Sequence, residues 1–222
     1  MATVEGRLIT DPDEIERITG IAGIKEVRMN QMRGEDWEVH RRFVLADRFN
    51  RQPYVDEVTY LPKNKDGFQV GFQAGSGSSV LPIDNDLGVY FAEIYAYHGQ
   101  FHGFFAAGGG IKQGETPEEA GKRETEEELG MKFRRMIRLG VKIPSPGLIS
   151  CPQHMYAAVG ELQHGQQRLD TTESKMKKVR LHLDEAYEIA MNPDQDKFDM
   201  QTHGAVLQVY CLNRDGKLFN YE

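Results

Sequence analysis

One stretch constrains this chain more than any other: Gly109 to Met131, GGIKQGETPEEAGKRETEEELGM. Its local chemistry predicts a helix with both ends marked. Thr116 can cap the start, Pro117 takes the first helical position, where no N–H is needed, and Glu119 completes a capping box. Gly130 supplies the stop, because glycine readily takes the left-handed turn that ends a helix. Inside, Glu124, Glu127 and Glu128 stand at i, i+3 and i+4, so three carboxylates share one face. Like charges at that spacing each cost an isolated helix roughly 0.2–0.5 kcal/mol. A hard divalent cation would offset the repulsion, since Mg²⁺ prefers oxygen ligands and binds through a few carboxylates plus substrate phosphates. Arg123, among the acids, can pair with Glu119 or Glu127 at i±4, or with Glu115 just before the helix. Most acidic helices are simply solvated faces. Here the acids gather on one side without alternating lysines, and a glycine-rich run, Phe101 to Gly110, leads into them.

The order Gly109, five residues, Glu115, seven residues, Arg123-Glu124, two residues, Glu127-Glu128, one residue, Gly130 resembles the Nudix box. Seven fixed positions would coincide by chance at a given start with a probability of ~10⁻⁸ at average residue frequencies. The resemblance implies an α/β/α sandwich with a mixed sheet, and hydrolysis of a diphosphate linked to some other moiety with Mg²⁺ or Mn²⁺. It implies Glu124 and Glu128 as the strongest metal ligands, Glu127 as a ligand or a catalytic support, and a backbone carbonyl at Gly108 beside them. Glu115 and Arg123 would hold loop and helix in register, and Gly109 would let the backbone turn tightly. One position departs: Thr125 stands where the family usually has an apolar residue. It lies off the carboxylate face, so a packing adjustment is expected there. The general base in this superfamily often comes from a later loop, which points to Glu173, with Asp170 in reserve.

The segment Ile143-Pro-Ser-Pro-Gly-Leu148, with Pro146 sixteen positions after Gly130, resembles the ADP-ribose pyrophosphatase branch. Three positions depart from that branch. Cys151-Pro152 stands where a glutamate is usual, Phe105-Ala-Ala-Gly-Gly109 replaces Glu-x-Pro-Ala-Gly, and an arginine is replaced near Ala96. The implied substrate is therefore ADP-ribose or another nucleoside diphosphate derivative such as a nucleotide sugar or a dinucleotide. Two other readings stay open: a house-cleaning hydrolase of nucleoside triphosphates or RNA 5′ ends, and a non-catalytic nucleotide sensor. Among the aromatic residues Tyr95, Tyr97, Phe101, Phe104 and Phe105, strand alternation makes about half core. Tyr95 and Phe105, with Pro146, are the candidate substrate contacts, and His98 or His102 could reach phosphate.

The rest of the chain reads as a mixed α/β protein. Ile15, Ile18, Ile21 and Ala22 recur at helical steps after Asp11-Pro12, and a second helix is expected from Glu35 to Arg48. Residues 1–53 thus read as a helical N-terminal extension and 54–222 as the Nudix domain. Strands are expected at Val55–Leu61 and Phe68–Phe72 around an Asp66-Gly67 turn, at Val80–Ile83, Val89–Tyr97, Met136–Ile143, Met155–Glu161 and Lys178–Leu183. A helix from Asp184 to Met191 follows, and Ala205 to Leu212 fits helix or strand.

Charge and composition narrow the partners. Lys+Arg 27 against Asp+Glu 34 gives a net charge of −7, which disfavours an electrostatic grip on nucleic acid. No run approaches roughly 18 apolar residues, so no membrane-spanning helix is expected. The first residues lack a secretory pattern, and two cysteines fit a reducing cytoplasm. The expected partner is a nucleotide-derived substrate, with a homodimer left open.

Overall fold

The computed structural model describes residues 7–19, 24–33, 35–46, 51–96, 100–171, 173–195 and 197–220. In chain order the elements are β1 (Leu8–Ile9), α1 (Pro12–Thr19), β2 (Glu26–Arg33), β3 (Trp37–Val44), β4 (Arg51–Tyr60), β5 (Lys65–Ala74), β6 (Gly77–Ile83) and β7 (Gly88–Ala96). Then come β8 (Phe101–Phe105), β9 (Ala107–Gly110), α2 (Pro117–Leu129), β10 (Met131–Phe133), β11 (Met136–Lys142), β12 (Ile149–Ser150) and β13 (Gln153–Val159). The chain closes with β14 (Leu162–His164), β15 (Lys177–His182), α3 (Leu183–Met191) and α4 (Met200–Arg214). Two compact units result: Met1–Gly75 with Ser145–Cys151, and Ser76–Pro144 with Pro152–Glu222.

The first unit is a sheet in the order β1-β2-β3-β4-β5-β12. Its core gathers Ile9, Ile15, Ile24, Val27 and Phe43. Arg42 spans to Asp56 on the neighbouring strand with two hydrogen bonds, of 2.7 and 2.8 Å, and stacks over Tyr54 at 3.8 Å. The hairpin between β4 and β5 forms as expected, but its turn sits earlier. Tyr60 pairs with Lys65, Asn64 takes the left-handed conformation at φ 46°, and Asp66-Gly67 lies within β5.

The helical N-terminus expected from the sequence is corrected here. Among the described residues before 53 only Pro12–Thr19 is helical, and the second expected helix is the strand β3. The reason is an ambiguity of period. Val39 and Phe43 are four apart, a spacing shared by one face of a helix and one face of a strand. Cross-strand partners decide: Phe43 stands opposite Val27 on β2 and Val55 on β4. Ile21, Ala22 and Arg48 lie outside the described residues, as does the side chain of Ile18. The expected boundary after residue 53 falls inside β4, and the first compact unit runs on to Gly75.

The second unit carries the mixed sheet. Its order is β11-β13-β6-β7-β15, with β8 on β7 and β9 on β6; β13 runs parallel to β6 and the other pairs are antiparallel. Strand alternation sorts the two faces. Leu81, Ile83, Val89 and Phe91 pack with Leu183 and Ala186 of α3 and with Val206 and Val209 of α4. The intervening Tyr90 and Ala92 pack instead with Leu129 of α2 and with Met131. Helices therefore cover both faces, giving the α/β/α sandwich. The open stretch Ala205 to Leu212 is helix, capped by Asp199, whose carboxylate accepts from Thr202 N–H at 2.8 Å. No helix among the described residues is long and apolar enough to cross a membrane.

Helix α2 comes close to the sheet because Gly121 faces it: a Cβ there would stand 2.7 Å from Val80 Cγ2 and 3.0 Å from Ser78 Oγ. Thr125 is buried on the same side, and its hydroxyl donates to Gly121 O at 2.7 Å. That back-bond satisfies a polar atom at a position expected to be apolar.

Candidate active site

The acids are positioned by the ends of α2 and by one arginine. Thr116 Oγ1 accepts from Glu119 N–H at 3.2 Å, and Glu119 Oε2 accepts from Thr116 N–H at 2.8 Å, which closes the capping box. Gly130 ends the helix at φ 62°. Arg123 donates to Glu115 Oε1 and Oε2 at 2.8 and 3.0 Å, to Gly110 O at 3.0 Å, to Glu124 Oε1 at 2.6 Å and to Glu127 Oε2 at 3.2 Å. It thus joins loop, strand end and helix, leaving Glu119 to the cap. These bonds, with one from Lys112 N–H, hold the Glu115 carboxyl down at about 2.

Glu128 is the acid turned inward. Its side chain is only 5% exposed, and Oε2 accepts from Gly108 N–H at 2.9 Å. Burial pushes its carboxyl up to about 8; Gly108 opposes the shift, while the charges of Glu124, Glu173 and Glu127 add to it. The carboxyl of Glu173 is also raised, first by burial and then by Asp170, with Glu124 and Glu127 contributing. Glu173 therefore lies in the same field as the three helix acids. Asp170, the reserve base, accepts from Glu173 N–H at 3.1 Å and shapes the turn that carries it.

Two glycines allow this closeness. A Cβ on Gly109 would overlap the Glu124 carboxylate, while one on Gly108 would overlap Ser79 Oγ and come within 2.6 Å of Ser78 O. The first is crowding by a side chain, the second by backbone.

A clamp at the C-terminal end of α2 was not legible in the sequence. The last carbonyls of a helix lack intrahelical donors. Here Arg168 N–H bonds Glu127 O at 2.7 Å, Gln167 Nε2 bonds Glu128 O at 2.6 Å, and Gly165 N–H bonds Gly130 O at 2.6 Å. The same loop continues to Glu173, and Met176 N–H bonds Glu173 O at 2.7 Å, with Met176 buried beside Leu129. The only sequence signal was the general need for donors at a helix end, which does not say where they come from.

Two clefts lie here, one lined by Glu128 and one sharing lining residues with it. One of about 250 Å³ is lined by Glu128, Gly108, Phe105, Ser79, Met176 and Thr202, among others. A larger one, about 700 Å³, is lined by Tyr95 and His102, whose rings lie 5.2 Å apart, and by residues of the loop after Glu173. Ile94 and Met176 line both. Phe104 is instead packed with Phe91 and Phe198 in the core. The Phe101 and Phe105 rings lie 5.7 Å apart, tilted by 43°. Tyr97 and His98 lie outside the described residues, and Pro146 belongs to the first compact unit.

The donor set suits a hard cation: Glu124, Glu127 and Glu128 offer only oxygen, and the charges of Glu124 and Glu127 add to the burial that raises Glu128. No trio of His, Cys, Asp or Glu among the described residues already stands gathered around one point. Arg123 holds an oxygen each of Glu124 and Glu127, so gathering them means loosening those two bonds.

A family model described as NUDIX domain matches residues 77–201. A solved structure described as an ADP compounds hydrolase shares the fold at a TM-score of 0.68 and 16% identity, covering 84% of this chain and 100% of its own. No curated protein matches the sequence.

Proposed function

This chain belongs to the NUDIX family and is a pyrophosphatase of that family, and we propose that it cleaves a nucleoside diphosphate joined to another moiety, ADP-ribose or a nucleotide sugar foremost. The products are a nucleoside monophosphate and a phosphorylated second fragment. Glu124, Glu127 and Glu128 would hold Mg²⁺ or Mn²⁺, the metals usual in the family. When bound, such an ion neutralises diphosphate charge and lowers the pKa of water.

The observation that carries this reading is the mutual field of four carboxylates, Glu124, Glu127, Glu128 and Glu173, balanced on one side by Arg123. Arg123 and Glu115 keep the helix acids in register with the glycine strand end. Glu173, with its carboxyl raised chiefly by burial, is a better proton acceptor for an attacking water than an ordinary exposed carboxylate. Phe105 beside Glu128 and Tyr95 in the larger cleft offer apolar and aromatic faces for the organic half of the substrate. The choice of an ADP-type substrate is supported by the likeness to the ADP compounds hydrolase and by the Ser145-Pro146-Gly147 segment.

A panel of ADP-ribose, nucleotide sugars, nucleoside triphosphates and capped RNA, incubated with Mg²⁺ or Mn²⁺ and resolved by product chromatography, tests it. Expected are AMP and ribose 5-phosphate from ADP-ribose, with turnover falling by roughly 10²-fold or more in Glu128→Gln. Cleavage confined to triphosphates or capped RNA would overturn the substrate, and tight binding of ADP-ribose without cleavage would favour a sensor.

A further inference from the structure

The larger cleft holds positive charge that diphosphate chemistry at the helix does not use. Lys175 and Lys177 both line it, and neither side chain has an ion-pair or hydrogen-bond partner among the described residues. They are the two cations among the described residues that line the cleft, whereas Arg168 pairs with Glu126 at 3.1 Å and Arg180 with Asp84 at 2.9 Å.

The lysines are also held in place. Met176 between them is buried in the cluster with Leu129 and Met131, and Lys177 opens β15 opposite Glu93 of β7. Glu93 is the one acid among the described residues that line the cleft, so two lysines outweigh it there. Thr171 and Ser174 add hydroxyls, and the Tyr95–His102 ring pair forms an aromatic wall. A volume of about 700 Å³ is ample for half of a nucleotide derivative.

Resting on the reading above, we infer that this cleft takes a substrate moiety bearing an anionic group beyond the diphosphate, a phosphate monoester or a carboxylate, met by Lys175 and Lys177. Lysine binds such groups as a movable point charge with three donors. The enzyme would then prefer, among nucleoside diphosphate derivatives, those with a further negative charge on one of the two linked halves.

Two substrate pairs differ in that charge alone or nearly so: ADP-ribose with its 2′-phosphate, and UDP-glucose with UDP-glucuronate. kcat/KM is measured for all four with Mg²⁺ or Mn²⁺, and binding of each is measured by calorimetry alongside. In at least one pair the more charged member is expected to be favoured by about tenfold, the size of one charge-assisted hydrogen bond. K175S/K177S is expected to bring that ratio close to one, while K142S/K217S, which removes as much charge from positions outside the cleft, is expected to keep it. No preference in either pair, by rate or by binding, overturns the inference, and so does a K175S/K177S loss equal for both members. Preferential binding with no hydrolysis of any of the four leaves the cleft as inferred and counts against the hydrolytic reading instead.

Discussion

Glu115 shows how a single residue away from the carboxylate face can set the site. In the unfolded chain its carboxyl titrates near 4.5, and in the fold it is held at about 2, chiefly by Arg123. Because the folded value is the lower, the stabilisation is present above about pH 4.5 and drains away as pH falls toward 2. Glu115→Gln is therefore expected to melt below the wild type near neutral pH, with the gap closing in strong acid; circular dichroism at a series of pH values measures it. Coincident melts near pH 7 would remove Glu115 from this role.

The neighbouring glycines separate stability from activity. Gly108→Ala meets backbone, so it is expected to cost about 1–3 kcal/mol, as overpacking does. Gly109→Ala meets the flexible end of Glu124, which can swing away, so the fold should survive while turnover drops. Parallel melts and kinetics on the two variants check the contrast, and equal losses of both kinds would refute it. The pairing of Glu115 with Arg123 was legible through the spacing of the box, whereas Gly109, expected to turn the chain tightly, lies within strand β9 and leaves room for the Glu124 carboxylate instead. The part played by Gly108 N–H was not legible, since a backbone donor leaves no mark in sequence.

Among the elements, α2 was readable and β3 was not, for opposite reasons. Helix α2 has its start and stop written within fifteen residues, Thr116 to Gly130, and both act locally. Strand β3 depends on partners on β2 and β4, and its four-residue apolar spacing fits either period. Helix α4 stayed open because Val206, Val209 and Tyr210 are good strand residues, and burial against the sheet overrode that preference. The clamp on α2 was hidden by distance along the chain: Gln167 is 39 residues from the Glu128 carbonyl it bonds. Gln167→Ala is expected to destabilise the protein by about 1 kcal/mol, the worth of one net hydrogen bond. At this chain length that lowers the melting temperature by roughly 2–4 °C. An unchanged melt would mean that the backbone bonds of Gly165 and Arg168 hold the helix end without it.

At the scale of the whole molecule, the sandwich and its family were legible because the box predicts one fold wherever it occurs. The division of the chain was not. Residues 145–151 join the first unit through β12, which pairs in parallel with β5 across more than seventy residues, and no local signal announces such a contact. The net charge of −7 bears on the proposed function: an acidic molecule binding an acidic substrate would gain from a cation that offsets their repulsion. Mn²⁺ titration followed by electron paramagnetic resonance, on the wild type and on Glu124→Gln/Glu128→Gln with a non-hydrolysable ADP-ribose analogue present, tests that most directly. Expected is saturable Mn²⁺ binding by the wild type that the analogue tightens, and its loss in the double variant. Equal binding by the two proteins, or none by either, would contradict the assignment of these carboxylates to the metal and of the metal to the diphosphate.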